Sequence, residues 1–418
     1  MIYYYLSFAI IRILTFPIRW MSYSRIHKFG RGLGTLAYYL MPKFRKRALS
    51  NLSLAKDLDL NESQILKYAK ESFQNLMITC LEYPKLAMEK DLNQIACCEN
   101  PETADRIMKD GKSIIFFCGH QANWEILFLE GTHRMPGVAI GRPIKNEVLY
   151  KWILSIRQKF GGKIITPQNA IREGLRALKK GCFLGIVGDQ GMPNSGYSSS
   201  FLGSPAWTSP VPAILSYRTG NPIIVATTLR KSDKYHIHYS EPIWPDLQKT
   251  QEEEIDRLMK EALRYLEKSI IETPGQWLWQ HNRWKQQTPE RLKPSFRHES
   301  LCIILPEKKS QFEKIVPHLS TFREIYPSEF ITLMVPQAFK HSPLIPDAER
   351  ITYENEKEIL IRDFRFKLIF NFTDHSEIQS HFSKLSAFNI VNLSDLKKIA
   401  KSKGNLSEIL KAALYNAG

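Results

Sequence analysis

The sequence predicts an α/β protein, and three observations carry that assignment. From residue 114 onward, short apolar runs alternate with amphipathic stretches, as in a largely parallel or mixed sheet flanked by helices. A polar, proline-containing stretch at 286–299 (QQTPERLKPSFRHE) interrupts this rhythm, which then restarts, so a second, smaller α/β domain is expected. The first forty residues fit neither pattern: they are apolar, aromatic and basic.

The N-terminal run MIYYYLSFAIIRILTFPIRW is interrupted only by Arg12 and Arg19. No small-residue cleavage site follows, so it does not resemble a secretory signal. A spanning helix needs roughly 20 apolar residues, and a central arginine is costly there unless it snorkels. The segment is expected to be an uncleaved anchor, spanning or lying in the interface, with a buried N-terminal helix as the alternative. Residues 1–56 hold ten Lys or Arg and no Asp or Glu, within a net charge of +16. Such a surface suits anionic lipid or nucleic acid. The apolar neighbourhood and the lack of a recognisable nucleic-acid module favour lipid, with the cluster Lys43-Phe44-Arg45-Lys46-Arg47 on the cytoplasmic side.

Helical periodicity continues through 63–82. Strands are expected at 114–118, 137–140, 163–166, 182–187, 222–229 and 235–240, and helices at 147–160, 169–180 and 251–272. Beyond the linker, strands are expected at 301–305, 331–335, 367–371 and 389–393. The expected domains are an anchor over 1–40, a main domain over 41–290 and an accessory α/β domain over 300–418. The six cysteines form neither a C-x-x-C pair nor a zinc-ligand spacing, which fits a reducing compartment and no metal site.

The chemistry concentrates in Gly119-His120-Gln121-Ala122-Asn123-Trp124-Glu125. An apolar strand leads into it and a helical run leaves it, which puts His120 at a strand's C-terminal end, where open α/β sheets hold their sites. Glu125, about one turn on, is placed to reach back to an imidazole nitrogen. A carboxylate there fixes the tautomer and stabilises the imidazolium, so the pair is suited to activating a hydroxyl. A hydrogen-bonded structural histidine is the competing account of the same residues. Cys118, next to the motif, ends a buried strand and is expected to be inert.

Three further polar clusters follow strand-like runs: Arg142 with Lys145 and Asn146, then Asp189-Gln190, then FLGSPA at 201–206. Convergence of such groups on one sheet edge marks a site more strongly than a single motif. Arg142 serves an oxyanion, a substrate phosphate or a surface ion pair. Asp189 pairs with Arg142, positions the acceptor or caps a turn. Gly203 and Ser204 cap the next helix, with or without an anion. The run Gly275–Lys285 carries three tryptophans with His281, Arg283 and Lys285. It makes either an amphipathic wall for an acyl chain beside a phosphate or a satellite core cluster, and composition favours the core.

Taken together, GHQANWE, GRPIKN at 141–146, Asp189-Gln190, FLGSPAWTSP at 201–210, QWLWQHNRWK at 276–285 and RKRALSNL at 45–52 resemble the late lauroyl/myristoyl acyltransferases of lipid A biosynthesis. The series covers about residues 1–290, and it is far more specific than H-x4-D/E alone. The resemblance implies an acyltransferase-type sheet and transfer of a fatty acyl group from acyl carrier protein to a hydroxyl of a lipid A precursor. The expected setting is the cytoplasmic face of the inner membrane, in lipopolysaccharide biosynthesis. It implies His120 as general base with Glu125 as its orienter, and Arg142 as an active-site arginine. Asn146, Asp189, Gln190, Trp279, Arg283 and Lys285 become candidate substrate-binding residues. The partners implied are acyl carrier protein, anionic membrane lipid and a phosphorylated glycolipid acceptor, not nucleic acid. A thioester is already activated, so neither metal nor other cofactor is called for. A same-fold enzyme for another glycolipid or for acyl-CoA, and a non-catalytic membrane scaffold, are the alternatives. Residues 300–418 faintly resemble the N-terminal half of heptosyltransferase-like glycosyltransferases, too short for a complete enzyme of that kind.

Overall fold

The structure is a computed structural model that describes residues 2–402 and 404–416. Two compact units emerge, and neither is one continuous stretch. The first is built from the described residues up to Leu40, Lys67–Gln190 and Thr208–Leu278. The second takes Met41–Leu66, Gly191–Trp207 and the described residues from Trp279 onward.

In chain order the first nine strands are β1 (Ala96–Cys98), β2 (Ile115–Cys118), β3 (Gly137–Ile140), β4 (Lys163–Ile165), β5 (Phe183–Val187), β6 (Ser198–Phe201), β7 (Ser204–Trp207), β8 (Ile223–Lys231) and β9 (Lys234–Tyr239). Seven of them form the sheet of the first unit, in the order β1-β9-β8-β2-β5-β3-β4. All neighbours are parallel except the β8–β9 hairpin, so the sheet is mixed. Strand β2 lies at its centre and is buried along its whole length, as a strand covered on both faces must be. Phe116, Ile126, Leu129, Phe183 and Ile224 form part of the core around it. The helix Gln251–Glu272 is started by a capping box between Thr250 and Glu253 and stops at Thr273-Pro274.

The second unit holds β10 (Ser300–Ile304), β11 (Phe330–Pro336), β12 (Glu349–Tyr353), β13 (Leu368–Asn371) and β14 (Asn389–Asn392). They form an all-parallel sheet in the order β12-β11-β10-β13-β14, wound outward in both directions from its first strand. Leu301, Ile303, Phe322, Leu333, Phe370 and Leu410 are part of its core. The stretch 286–299 is not a bare linker, since Leu292 and Phe296 are buried in that core.

Strands β6 and β7 pair through a two-residue turn, Leu202-Gly203, with φ of +48° and +78°. Both central residues are left-handed, as a type I′ turn requires. Gly203 therefore turns a hairpin and Ser204 opens its second strand, and the next helix starts only at Val211 after Pro210. The expectation that they cap that helix is corrected.

Among the described residues no helix is long and apolar enough to cross a membrane. The helix Ile2–Thr15 has no buried residue, and it leads into a short 3-10 turn, Phe16–Trp20. It lies on the helix Glu147–Arg157: Arg12 stacks over Trp152 at 4.7 Å, and Asn146 donates to Tyr4 O and Ser7 Oγ.

Candidate active site

His120 stands two residues beyond β2, and Asp189 two residues beyond β5. Because β2 and β5 are adjacent and parallel, their carboxyl ends bring the two side chains together. Gly188 permits this exit from β5, as a Cβ there would meet the Phe117 ring at 2.2 Å. His120 Nδ1 lies 2.7 Å from Asp189 Oδ1, and the His120 backbone N–H donates to Asp189 Oδ2 at 2.6 Å. The Trp277 indole N–H donates to the same Oδ2 at 2.7 Å.

Asp189 is 3 % exposed. Burial alone would raise its pKa. The attraction of His120, and then hydrogen bonds from the His120 ring, the His120 backbone and Trp277, outweigh burial and hold it at about 2. A carboxylate only accepts hydrogen bonds, so Nδ1 carries a proton, and in the neutral ring Nε2 keeps its lone pair. Nε2 has the Gln190 amide nitrogen 3.4 Å away, and the ring packs edge-on against Trp124 with centroids 4.8 Å apart. A ring held in this way can act as an oriented general base.

Glu125 does not supply that orientation. Arg157 binds its carboxylate at both oxygens, Nε to Oε2 at 2.7 Å and Nη2 to Oε1 at 2.5 Å, and the Trp124 indole donates to Oε1 at 3.0 Å. The carboxylate in contact with His120 is Asp189, and the pairing expected between His120 and Glu125 is corrected. The physical reason is charge and geometry: the Arg157 guanidinium binds both Glu125 oxygens, a bidentate pairing that a single imidazole N–H cannot match.

Arg142 follows β3, the neighbour of β5, so it stands on the same sheet edge two strands from His120 and is exposed. Asn146 is a structural cap: its Oδ1 accepts from Val148 N and Leu149 N. Cys118 is fully buried, and burial, then the Asp189 and Glu125 carboxylates, push its thiol far above the usual range. A thiol held in this way is poorly suited to act as a nucleophile at neutral pH.

Trp279, Arg283 and Lys285 belong to the second unit. Trp279 and Trp284 stack in its interior, and neither is exposed. Arg283 is likewise fully buried, with its guanidinium 4.3 Å from the Phe201 ring centroid and an N–H donated to Trp207 O at 2.8 Å. These residues form a packed core rather than an open wall for a chain, while Lys285 is exposed. Trp277 is the tryptophan that joins the site. Its indole shares Asp189 with His120, a role that periodicity could not reveal.

Comparison with known proteins comes from two sides. Residues 1–286 match the model of the family described as bacterial lipid A biosynthesis acyltransferase. The chain is also similar to the lipid A biosynthesis palmitoleoyltransferase of Escherichia coli (strain K12), at 28% identity over 154 residues, covering 36% of this chain and 48% of that protein. The lipid A biosynthesis acyltransferase of Shigella flexneri shows the same identity and coverage. The chain thus spans about half the length of the curated relatives it matches.

Proposed function

The chain belongs to the bacterial lipid A biosynthesis acyltransferase family, and on that premise we propose that it transfers a fatty acyl group from acyl carrier protein to a hydroxyl of a lipid A precursor. The observation that carries the mechanism is the 2.7 Å contact of His120 Nδ1 with Asp189, which leaves Nε2 as proton acceptor. The acceptor hydroxyl gives its proton to Nε2 as its oxygen bonds to the thioester carbon. The tetrahedral oxyanion then collapses, the C–S bond breaks, and the imidazolium protonates the departing thiolate. Asp189 stays ionised and stabilises the imidazolium between the two steps. Arg142, on the same edge, is the cation for the oxyanion or a substrate phosphate. The Glu125–Arg157 pair ties together the two helices that flank this edge. No acyl-enzyme is needed, since the one cysteine beside the base is held as a thiol.

The net charge of +16 suits an acidic carrier protein and a phosphorylated glycolipid alike. The exposed apolar side chains of Ile2–Thr15 and the absence of acidic residues in 1–56 support attachment to an anionic leaflet. We place that attachment at the cytoplasmic face of the inner membrane. The test is mass spectrometry of a tetra-acylated lipid A precursor incubated with the protein and a panel of carrier-bound acyl chains. The expected result is a gain of one acyl group, absent with His120→Ala. Gain only from acyl-CoA, or only with another glycolipid, would replace the donor or the acceptor. No gain from any pair would overturn the assignment.

A further inference from the structure

The helix Glu62–Leu86 carries Ser72, Asn75, Thr79 and Glu82 on one face, at the spacing where a packed helix normally presents apolar residues. All four are at most 3 % exposed. Buried polar groups cost stability unless they are hydrogen-bonded, and the partners of these four are concentrated on two short segments. Ser72 Oγ donates to Trp277 O at 2.5 Å. Asn75 Nδ2 donates to Ala122 O at 2.9 Å and to Gln276 O at 3.1 Å. Thr79 Oγ1 shares its one proton between Ala122 O at 3.0 Å and Asn75 O at 3.1 Å. Glu82 accepts from Asn123 Nδ2 at 2.6 Å, and also binds His27 and Tyr235.

The two segments flank the candidate site. They pair through an antiparallel bridge, Gln121 with Trp277, and through Ala122 N to Gln276 O at 2.7 Å and Leu278 N to His120 O at 3.0 Å. One presents His120 to Asp189, and the other presents the Trp277 indole to the same carboxylate. Ala122 has φ of +47°, a left-handed conformation that a residue with a Cβ adopts only when its surroundings impose it. The carbonyl of that residue is the one bound by both Asn75 and Thr79.

We propose that Asn75, Thr79 and Glu82 are positioning residues for acyl transfer, a polar stripe that holds the His120 and Trp277 segments in register around Asp189. The proposal rests on the assignment of His120 as general base. Apolar side chains at these positions would take these donors away from the Ala122 and Gln276 carbonyls. What the polar stripe adds is a fixed backbone on either side of one carboxylate.

The test compares Asn75→Leu, Thr79→Val and Glu82→Gln in the full chain with Ser216→Ala, which loses a buried bond of the same kind, to Asn221 O, away from the site. Asn75→Leu is expected to lower kcat tenfold or more with KM for both substrates within about twofold. Thr79→Val, which loses only one of the two bonds to Ala122 O, is expected to lower kcat about threefold. Nitrogen-15 NMR of the His120 ring, assigned with His120→Gln, needs no substrate. It is expected to show a single Nδ1–H tautomer in the native protein and a mixture in Asn75→Leu. A native-like tautomer in all three variants, or kcat losses no larger than in Ser216→Ala, would overturn the proposal. Should Asn75→Leu not fold, Thr79→Val gives both readouts. Full activity in His120→Gln would instead refute the base assignment, while the tautomer readout still decides the positioning.

Discussion

His120 and Asp189 are 69 positions apart in the chain and in direct contact in the fold. In the proposed mechanism their pairing fixes which nitrogen is the base, so Asp189→Asn is the most informative residue-scale change. An asparagine amide can donate to Nδ1, which moves the ring proton to Nε2 and leaves no base facing the acceptor. The expected loss is about 10³- to 10⁴-fold in kcat, the scale seen when a buried carboxylate partner of a catalytic histidine is neutralised. KM should change little, because Asp189 is buried behind the ring. Initial rates against both substrates measure this, and a loss under tenfold would remove Asp189 from the mechanism. The same carboxylate links folding to pH. Its folded pKa of about 2 lies below the roughly 3.9 of an unfolded aspartate. A depressed pKa contributes stability that is fully present above the unfolded value and lost as pH falls through the folded one. The contribution is on the order of 2 kcal/mol above pH ~4, lost as pH falls toward ~2. Denaturant unfolding between pH 5 and 2.5 should show a shallower acid loss for Asp189→Asn than for the native chain; superimposable slopes would contradict it.

At the scale of elements, Glu125 and Arg157 join the start of the helix Trp124–Arg134 to the end of the helix Glu147–Arg157. Their side chains are 6 % and 18 % exposed. Arg157→Met leaves a nearly buried carboxylate without its cation, a change expected to cost about 3–5 kcal/mol. Adding Glu125→Gln removes the orphaned charge and should recover at least half of that loss. A double-mutant cycle on unfolding free energies measures it, and additive losses would show that the pair does not couple. The pair also shows where sequence stops being informative. Spacing along one segment put Glu125 near His120, but a cation from the next helix, unseen at that range, captured it. Asp189 was visible as a polar residue after a strand. Its role depended on β5 lying beside β2, an order that no local pattern specifies. Strands with continuous apolar runs, such as β2 and β5, were legible to within a residue or two. Those with little strand signal were not: β1 is three residues long, β12 (ERITY) has one buried side chain, β6 (SSSF) is largely polar, and β7 (SPAW) carries a proline. The tryptophan-rich block was legible as something unusual. Whether it lined a surface or filled a core depended on partners such as Phe201 and Trp207, more than seventy residues earlier.

At the scale of the whole molecule, a lipid acceptor requires a route from bilayer to site, and the N-terminal segment has the chemistry for it. The helix Ile2–Thr15 has 14 residues, about 21 Å at 1.5 Å per residue, short of a hydrocarbon core about 30 Å thick. It exposes Ile2, Leu6, Ile10, Ile13 and Leu14, and Trp20 follows at 67 % exposure. Arg12 is turned back onto Trp152 rather than aimed into this apolar surface. Cations throughout 1–56, with no carboxylate among them, add attraction to anionic headgroups. We propose that this helix lies in one leaflet. Flotation with vesicles should then show stronger binding to phosphatidylglycerol-containing membranes than to phosphatidylcholine alone, and salt should weaken the difference. Replacing Ile13, Leu14 and Trp20 together by serine removes three large apolar side chains, each worth about 1.5–3 kcal/mol when fully buried. A drop in partitioning of 100-fold or more is therefore expected, with acyl transfer to a water-dispersed short-chain acceptor largely retained. An in-plane helix also leaves both of its ends on one side of the bilayer. Cysteines placed at Tyr3 and at Ser22 in separate variants should react with a membrane-impermeant reagent from the same side; labelling from opposite sides would establish a span and overturn the in-plane arrangement.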